Sequence, residues 1–304
     1  MTGKKTMSQM RKSPSQGPSS PDVWGFYEPD TGSVQYIVAD PATGEAVIID
    51  PVWNFDPRNA HTSSEAADAL LAHVEKEKLK VAWVLDTHPH ADHFTAGRVL
   101  ADELGAPHAI GEKVREVAVL WRDFYNRPDA FDADAAYDRL FSDGDTFSFG
   151  EMDVRVMFSP GHTLASITYV IGSDAAFVHD TLMYPDSGTS RADFPGGSAK
   201  TLFHSIQQIL ALPDETRLFV GHDYCKGGRE PQWEATVAGH KASNIHVAEG
   251  VSEAEYVATR EARDKTLGLP DRMLHALQVN LAGGRLPPAE DDGHHYFKIP
   301  ANRL

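Results

Sequence analysis

Residues 81–93 read VAWVLDTHPHADH, and the last seven, Thr87-His88-Pro89-His90-Ala91-Asp92-His93, decide the fold. The run Val-Ala-Trp-Val-Leu has the character of a buried strand. It empties into three imidazoles and one carboxylate within six positions. In an extended turn residues i and i+2 point the same way, so His88 and His90 share a direction. Pro89 between them fixes one φ. Imidazole and carboxylate together suit Zn, Fe or Mn, and a strand-end loop leaves such a cluster partly open to solvent and substrate. The competing reading is a solvated polar loop, and four potential ligands at this spacing weigh against it.

Working outward, strands alternate with helices. Segments 34–40 (VQYIVAD) and 45–51 (EAVIIDP) read as a hairpin across the turn PATG. Residues 63–79 place Ala66, Ala67, Leu70, Leu71 and Val74 at helical spacing. Residues 94–104 read as a helix ended by Gly105, and 112–125 as another. Downstream, 145–159, 167–172, 175–180 and 217–223 read as strands, with a helix at 198–210 between them. The tail at 244–281 is mostly helical with a break at 268–270, and the last stretch is irregular. This order suits two sheets with helices outside more than a single parallel sheet.

The first 21 residues are basic, rich in Ser, Pro and Gly, and carry no acidic residue. They read as a disordered tail, with a targeting segment as the alternative. The main domain is expected over 22–235, with a C-terminal helical extension over 236–304 packed on the same domain. Across all 304 residues, 28 Lys and Arg face 44 Asp and Glu, a formal charge of −16. That balance argues against nucleic acid and against anionic lipid as partners. No apolar run reaches the ~18 residues of a membrane span, and no secretory core is visible, so a cytoplasmic location is expected. The single cysteine, Cys225, excludes a disulfide within the chain. It reads as a bystander, with a catalytic thiol as the weaker alternative.

Three further residues sit at comparable strand ends: His162 after Ser-Pro-Gly, Asp180 at the end of AAFVHD, and His222 after RLFVG. With the first four they make seven candidate ligands. Seven suffice for two metals sharing a carboxylate, or for one metal with the rest supporting it. Asp50, before Pro51, is either a turn residue or a carboxylate that orients an imidazole through its second N–H. His294 and His295 lie in an irregular acidic stretch and read as surface.

THPHADH, PGHT, HD and GHD, in this order, resemble the metallo-β-lactamase superfamily over roughly residues 22–235. The resemblance implies an α/β fold, a four-layer αββα sandwich with the metal at one edge between the sheets. Within that superfamily THPHADHFTAG, SRADFPGGSAKTLFHSI, GHDY and the tail EARDKTLGLP…LHALQVN are similar to the persulfide dioxygenases, relatives of glyoxalase II. That likeness implies a single Fe(II) held by His88, His162 and Asp180, with His90, Asp92, His93 and His222 around it. It implies glutathione persulfide as substrate, contacted by Arg191 and Tyr224, and allows a homodimer. Two histidines and one carboxylate form the facial triad of non-haem iron oxygenases, which leaves positions open for a sulfur and for O₂. An ion pair with Asp186 or Asp193 is the alternative for Arg191, a buried phenol for Tyr224, and solvated loop charges for Lys226 and Arg229.

Two departures stand out: Ala165 precedes the serine where many members carry glycine, and the loop TLMYPDSGTS after Asp180 is long. The competing function is a dinuclear zinc hydrolase of glyoxalase II type, with one or two Zn(II), in which activated water attacks a glutathione thioester. A third reading is a non-catalytic protein that binds metal or persulfide. The serine nucleophile elbow and the phosphate-binding loop are both missing, and a β-lactam substrate would need a periplasmic address.

Overall fold

The computed structural model describes residues 9–303. In chain order the elements are β1 (Gln9–Ser13), β2 (Asp22–Glu28), β3 (Ser33–Ala39), β4 (Glu45–Ile49), β5 (Val52–Asp56), β6 (His61–Ser63), α1 (Glu65–Glu77), β7 (Lys80–Leu85), β8 (Phe94–Thr95), α2 (Gly97–Leu104), β9 (His108–Gly111), α3 (Val114–Tyr125), α4 (Ala133–Ala136) and β10 (Arg139–Phe141). There follow β11 (Thr146–Phe149), β12 (Met152–Phe158), β13 (Ile167–Ile171), β14 (Ala175–His179), α5 (Ala199–Leu210), β15 (Arg217–Val220), β16 (Glu234–Thr236), α6 (Val237–Ser243), α7 (Glu253–Asp264) and α8 (Met273–Asn280). One sheet has the order β1-β2-β3-β4-β7-β9-β10, the other β11-β12-β13-β14-β15-β16, and β6-β5-β8 form a small third sheet.

Period-two patterning builds the layers. In β3, Val34, Tyr36 and Val38 enter the core between the sheets with Val47, Ile49 and Leu85, facing Val154, Ile167, Tyr169 and Phe177. The alternate residues Ile37 and Ala39 join Ile48, Leu70, Val74 and Leu100 under α1 and α2. Both faces of the first sheet are therefore covered, which is why β3 and β4 read as nearly continuous apolar runs. Leu202, Ile206 and Ile209 of α5 complete the fourth layer on the far side. This is the αββα arrangement expected from the sequence.

Tyr36 bridges the sheets. Its ring lies 5.2 Å and 5.7 Å from those of Phe177 and Phe219, and its hydroxyl donates to the Val220 carbonyl at 2.5 Å. Truncating it to alanine should cost about 3–5 kcal/mol. It also fixes the end of β15, two residues before His222.

The tail expectation needs correcting from residue 9 onward; residues 1–8 lie outside the described part. β1 pairs antiparallel with β2, from Gln9 opposite Tyr27 to Ser13 opposite Val23. Arg11 reaches Gln232 (3.2 Å) and Ser13 donates to Glu234 (3.0 Å), so the segment straps one sheet to the other. The buried Arg217 guanidinium explains the rest. It pairs with Asp174 and completes its donors on the Ser13 and Ser20 hydroxyls and the Pro21 carbonyl. A buried cation needs such acceptors, and a polar Ser/Pro segment supplies them without any apolar signal. A smaller correction concerns 94–104: Phe94 and Thr95 pair with β5, and the helix starts only at Gly97. Among the described residues no helix is long and apolar enough to cross a membrane.

Candidate metal centre

β12, β14 and β15 run in the same direction, so the residues after their last members emerge at one edge. Local backbone devices aim them. At Gly161, φ is +132° and a Cβ would lie 2.3 Å from the Leu202 backbone, so only glycine lets the chain cross α5 on its way to His162. A register shift between Phe177 and His179, with His179 at φ +40°, turns Asp180 inward. The β7 loop meets them from the first sheet through a hydrogen bond from the Ile167 amide to the Thr87 carbonyl (3.0 Å), and β3 holds the end of β15 through one from the Val34 amide to the Gly221 carbonyl (2.8 Å).

Ligand atoms of His88, His162 and Asp180 lie within 4.8 Å of one another. Asp180 Oδ2 is 3.9 Å from His88 Nε2 and 3.7 Å from His162 Nε2. All three residues are buried. Thr87 donates its hydroxyl to Asp50 (2.7 Å), so its oxygen accepts from His88 Nδ1 at 3.0 Å. His162 Nδ1 donates to the Arg191 carbonyl (2.8 Å). Both imidazoles thus carry their proton on Nδ1 and present the Nε2 lone pair. Burial holds His88 well below the usual imidazole range and lowers His162, so both are neutral at neutral pH. His88 Nε2 is buried without a protein partner. Two neutral nitrogens, one of them orphaned, beside a carboxylate fit a divalent transition metal.

The remaining candidates lie beside this set and form further groups of ligand atoms. His222 donates through Nδ1 to Asp180 Oδ1 (2.5 Å) and through Nε2 to Asp92 Oδ2 (2.6 Å). Burial opposes its charge, but the two carboxylates win and hold it well above the usual range as an imidazolium. Burial likewise opposes the ionised form of Asp180, yet His222 holds its carboxyl near 2. Ser33 donates to Asp92 (3.0 Å), which also sits 2.9 Å from His93 Nδ1. The His90 ring lies 4.1 Å from that of His88; its Nε2 faces Asp50 Oδ1 at 3.1 Å, its Nδ1 is buried without a protein partner, and it falls in two further ligand groups, one with Asp92 and His93 and one with Asp50 and Asp86. Burial lowers it, but Asp50 lifts it to about 9. Asp50 also accepts from the Thr87 amide at 2.7 Å. Asp50 thus bonds the Thr87 amide and hydroxyl and the His90 imidazole together.

A cleft of about 760 Å³ opens onto Asp92, His162 and Asp180. Arg191 lines it, but its guanidinium is occupied: it pairs with both oxygens of Asp193 (2.7 and 2.9 Å) and donates to the Gly268 carbonyl (2.6 Å). The ion-pair reading of this arginine holds, with Asp193 as the partner. Its carbonyl fixes His162 and its side chain anchors the 268–270 break of the tail. Asp186 pairs instead with Arg229, which also binds Asp223. Tyr224 is not the buried phenol of the alternative reading: it is 65% exposed, and its ring stacks on His222. Cys225 is half-buried with Sγ 3.5 Å from the Tyr27 hydroxyl, outside the ligand sets. Lys226, Arg263 and Arg272 line the cleft with donors to spare: Lys226 donates to the Asp186 carbonyl, Arg263 to Thr266, and Arg272 to the Phe55 carbonyl. Ser33 and Arg272 gave no signal in the sequence, and Arg263, though within the tail stretch EARDKTLGLP, was not singled out because that tail is far from the histidine motif.

The profile of the metallo-beta-lactamase superfamily matches residues 29–222. The "Beta-lactamase hydrolase-like protein" of Xylella fastidiosa is 57% identical over 95% of this chain and 67% of its own length. "Glyoxylase B2" of Dictyostelium discoideum is 40% identical over 92% and 96%. The mitochondrial persulfide dioxygenase ETHE1 of Homo sapiens is 30% identical over 66% and 67%. Among solved structures, ETHE1 from Myxococcus xanthus superposes with a TM-score of 0.69 at 29% identity, over 86% of this chain and 98% of that one. With a matching profile over most of the chain and the histidine-rich edge between two sheets, this protein belongs to the metallo-beta-lactamase superfamily of metal-dependent enzymes.

Proposed function

We propose that the chain is a persulfide dioxygenase that holds one Fe(II) through His88, His162 and Asp180. The reaction is glutathione persulfide plus O₂ plus water giving glutathione, sulfite and two protons. The outer sulfur loses four electrons and O₂ gains them. The observation that carries this reading is the convergence on Asp180 Oδ2 of the neutral His88 and His162 imidazoles, each with its Nδ1 engaged elsewhere and its Nε2 free. Two histidines and one carboxylate are the donor set of non-haem iron oxygenases. Iron held there would supply the redox capacity for oxidising the persulfide sulfur with O₂.

The protein's own groups do the rest. Thr87 and the Arg191 carbonyl fix both imidazole tautomers. The His222 imidazolium donates its Nδ1–H to Asp180 Oδ1 and leaves Oδ2 facing the imidazoles. Arg263, Arg272 and Lys226 offer positive charge to the carboxylates of a glutathione moiety. Tyr224 places an exposed hydroxyl at the same mouth. Phe194 and Leu269 line the cleft with apolar surface. The test is O₂ uptake by anaerobically purified, iron-loaded protein given glutathione persulfide. Iron-dependent uptake with one sulfite per O₂ is expected, and no uptake removes the proposal.

The second reading, a dinuclear zinc thioester hydrolase, is favoured by one observation. Asp92, Asp180 and His222 also come within ligand reach of one another and share Asp180 with the first set. Two zinc ions per chain with hydrolysis of a glutathione thioester, and no O₂ uptake, would establish it instead.

A further inference from the structure

The stretch from Asp86 to His93 has no helix or strand, so its buried peptide groups need partners from elsewhere. Three groups on this loop and its exit into β8 converge on one side chain. Asn280, the last residue of α8, donates its Nδ2 hydrogens to the carbonyls of His90 (2.7 Å) and His93 (2.8 Å), and its Oδ1 accepts from the Thr95 amide (2.8 Å). The carboxamide is fully buried and both its donors are used. It is held in turn: the Tyr137 hydroxyl donates to the Asn280 carbonyl at 2.6 Å. Tyr137 packs 4.8 Å from the His108 ring, and His108 pairs with Asp86 at 2.9 Å. Asp86 also accepts from the Thr95 hydroxyl (2.8 Å). Past α8 the chain continues through Gly284 at φ +87°, where a Cβ would lie 3.0 Å from the Thr95 carbonyl oxygen. The end of α8 is thus a socket for the imidazole-bearing turn.

We infer that Asn280 is a positioning residue for the metal centre. It sets the curvature of the turn between His90 and His93, two residues beyond His88, and so sets how tightly the chain holds its metal. This rests on the metal site proposed above but not on which reaction that site performs. Without the carboxamide two buried carbonyls and one amide lose their partner, and the turn relaxes away from the aim that His88 and its neighbours need. Partners that orient metal ligands typically change affinity by about 10–100-fold.

The experiment uses the full chain stripped of metal and titrated with Zn(II) against a chelator, and with Co(II) followed by its visible absorption. Three variants are compared: Asn280→Ala, Asn280→Asp (same size, both donors lost), and Leu277→Ala, a packing change on the same helix. The Asn280 variants should hold Zn(II) about tenfold more weakly or worse and shift the Co(II) bands. Leu277→Ala should lower the melting temperature of the metal-free protein while leaving affinity and bands as in the wild type. Should the Asn280 variants fail to fold, Tyr137→Phe, which removes only the hydroxyl on the Asn280 carbonyl, should weaken Zn(II) in the same direction by a smaller factor. Wild-type affinity in the Asn280 variants, equal weakening by Leu277→Ala, or no change in Tyr137→Phe overturns the inference. A wild type that takes up no metal overturns the metal-site reading itself, so the two failures are distinguishable.

Discussion

The loop after β7 concentrates three imidazoles and a carboxylate in six residues, whereas the second sheet sends one donor from each of three strand ends. Density and function do not coincide. Of the crowded four, only His88 joins the set with His162 and Asp180; His90 is engaged by Asp50, and Asp92 is bound by Ser33, His93 and His222. The scattered donors are all central: Asp180 touches the first set through Oδ2 and His222 through Oδ1. A short turn can crowd donors, but their directions are set by hydrogen-bond partners from other elements.

The sharpest break in that contrast is at Asp180. Asp180→Ala removes the carboxylate common to both ligand sets and leaves the His222 imidazolium with only Asp92. A bound metal contributes several kcal/mol of stabilisation, so activity should fall on the order of a thousandfold, with metal content falling alongside. Retained iron at full stoichiometry would show that the imidazoles suffice without this carboxylate.

A buried imidazole away from the cluster gives the next largest effect. His240 in α6 is fully buried, and burial lowers it from 6.5 to about 4. The unfolded chain therefore takes up a proton that the folded chain refuses between those values. Its contribution to stability is complete above pH 6.5 and is lost as pH falls from 6.5 towards 4. The span corresponds to roughly 3 kcal/mol. In metal-free protein, urea midpoints measured across this range should fall with acid, and His240→Leu should flatten that slope. An unchanged slope would show that His240 titrates normally.

Within the crowded loop, Asp50→Asn removes the partner that engages His90 and Thr87. Metal affinity should drop about 10–100-fold while one ion per chain is still bound. His90→Ala should likewise leave one ion per chain. Loss of a whole metal equivalent on His90→Ala would move His90 into the ligand set and favour the dinuclear reading.

The smallest effect separates two of the cleft's arginines, Arg191 and Arg272. Among the described residues Arg272 hydrogen-bonds through Nε to the Phe55 carbonyl, and its remaining donors face the cleft. Arg272→Ala should raise KM about tenfold, the scale of one charge-assisted hydrogen bond, with kcat unchanged. Arg191→Lys should instead lower kcat, because it loosens the Asp193 pairing beside the carbonyl that holds His162. Steady-state kinetics on both variants checks this, and the reverse pattern would exchange their roles.

Much of the architecture was legible. Val34, Tyr36 and Val38 alternate with Ile37 and Ala39, and that alternation forecasts a sheet covered on both faces. The seven donors were visible as residues because imidazole and carboxylate at strand ends are chemically conspicuous. Their partition was not visible, since it depends on Asp50, Thr87, Ser33 and the Arg191 carbonyl meeting them in space. Residues 9–21 misled because a polar strap held by ladder bonds and a buried arginine has the composition of a tail. Asn280 lay within the quoted tail motif, but nothing local says that a helix-terminal amide will reach the carbonyls of His90 and His93.

The most direct measurement joins elemental analysis of anaerobically purified protein to O₂ uptake with glutathione persulfide. The expected result is one iron per chain and uptake that chelation abolishes and iron restores. Two zinc ions per chain, thioester hydrolysis and no O₂ uptake would contradict it.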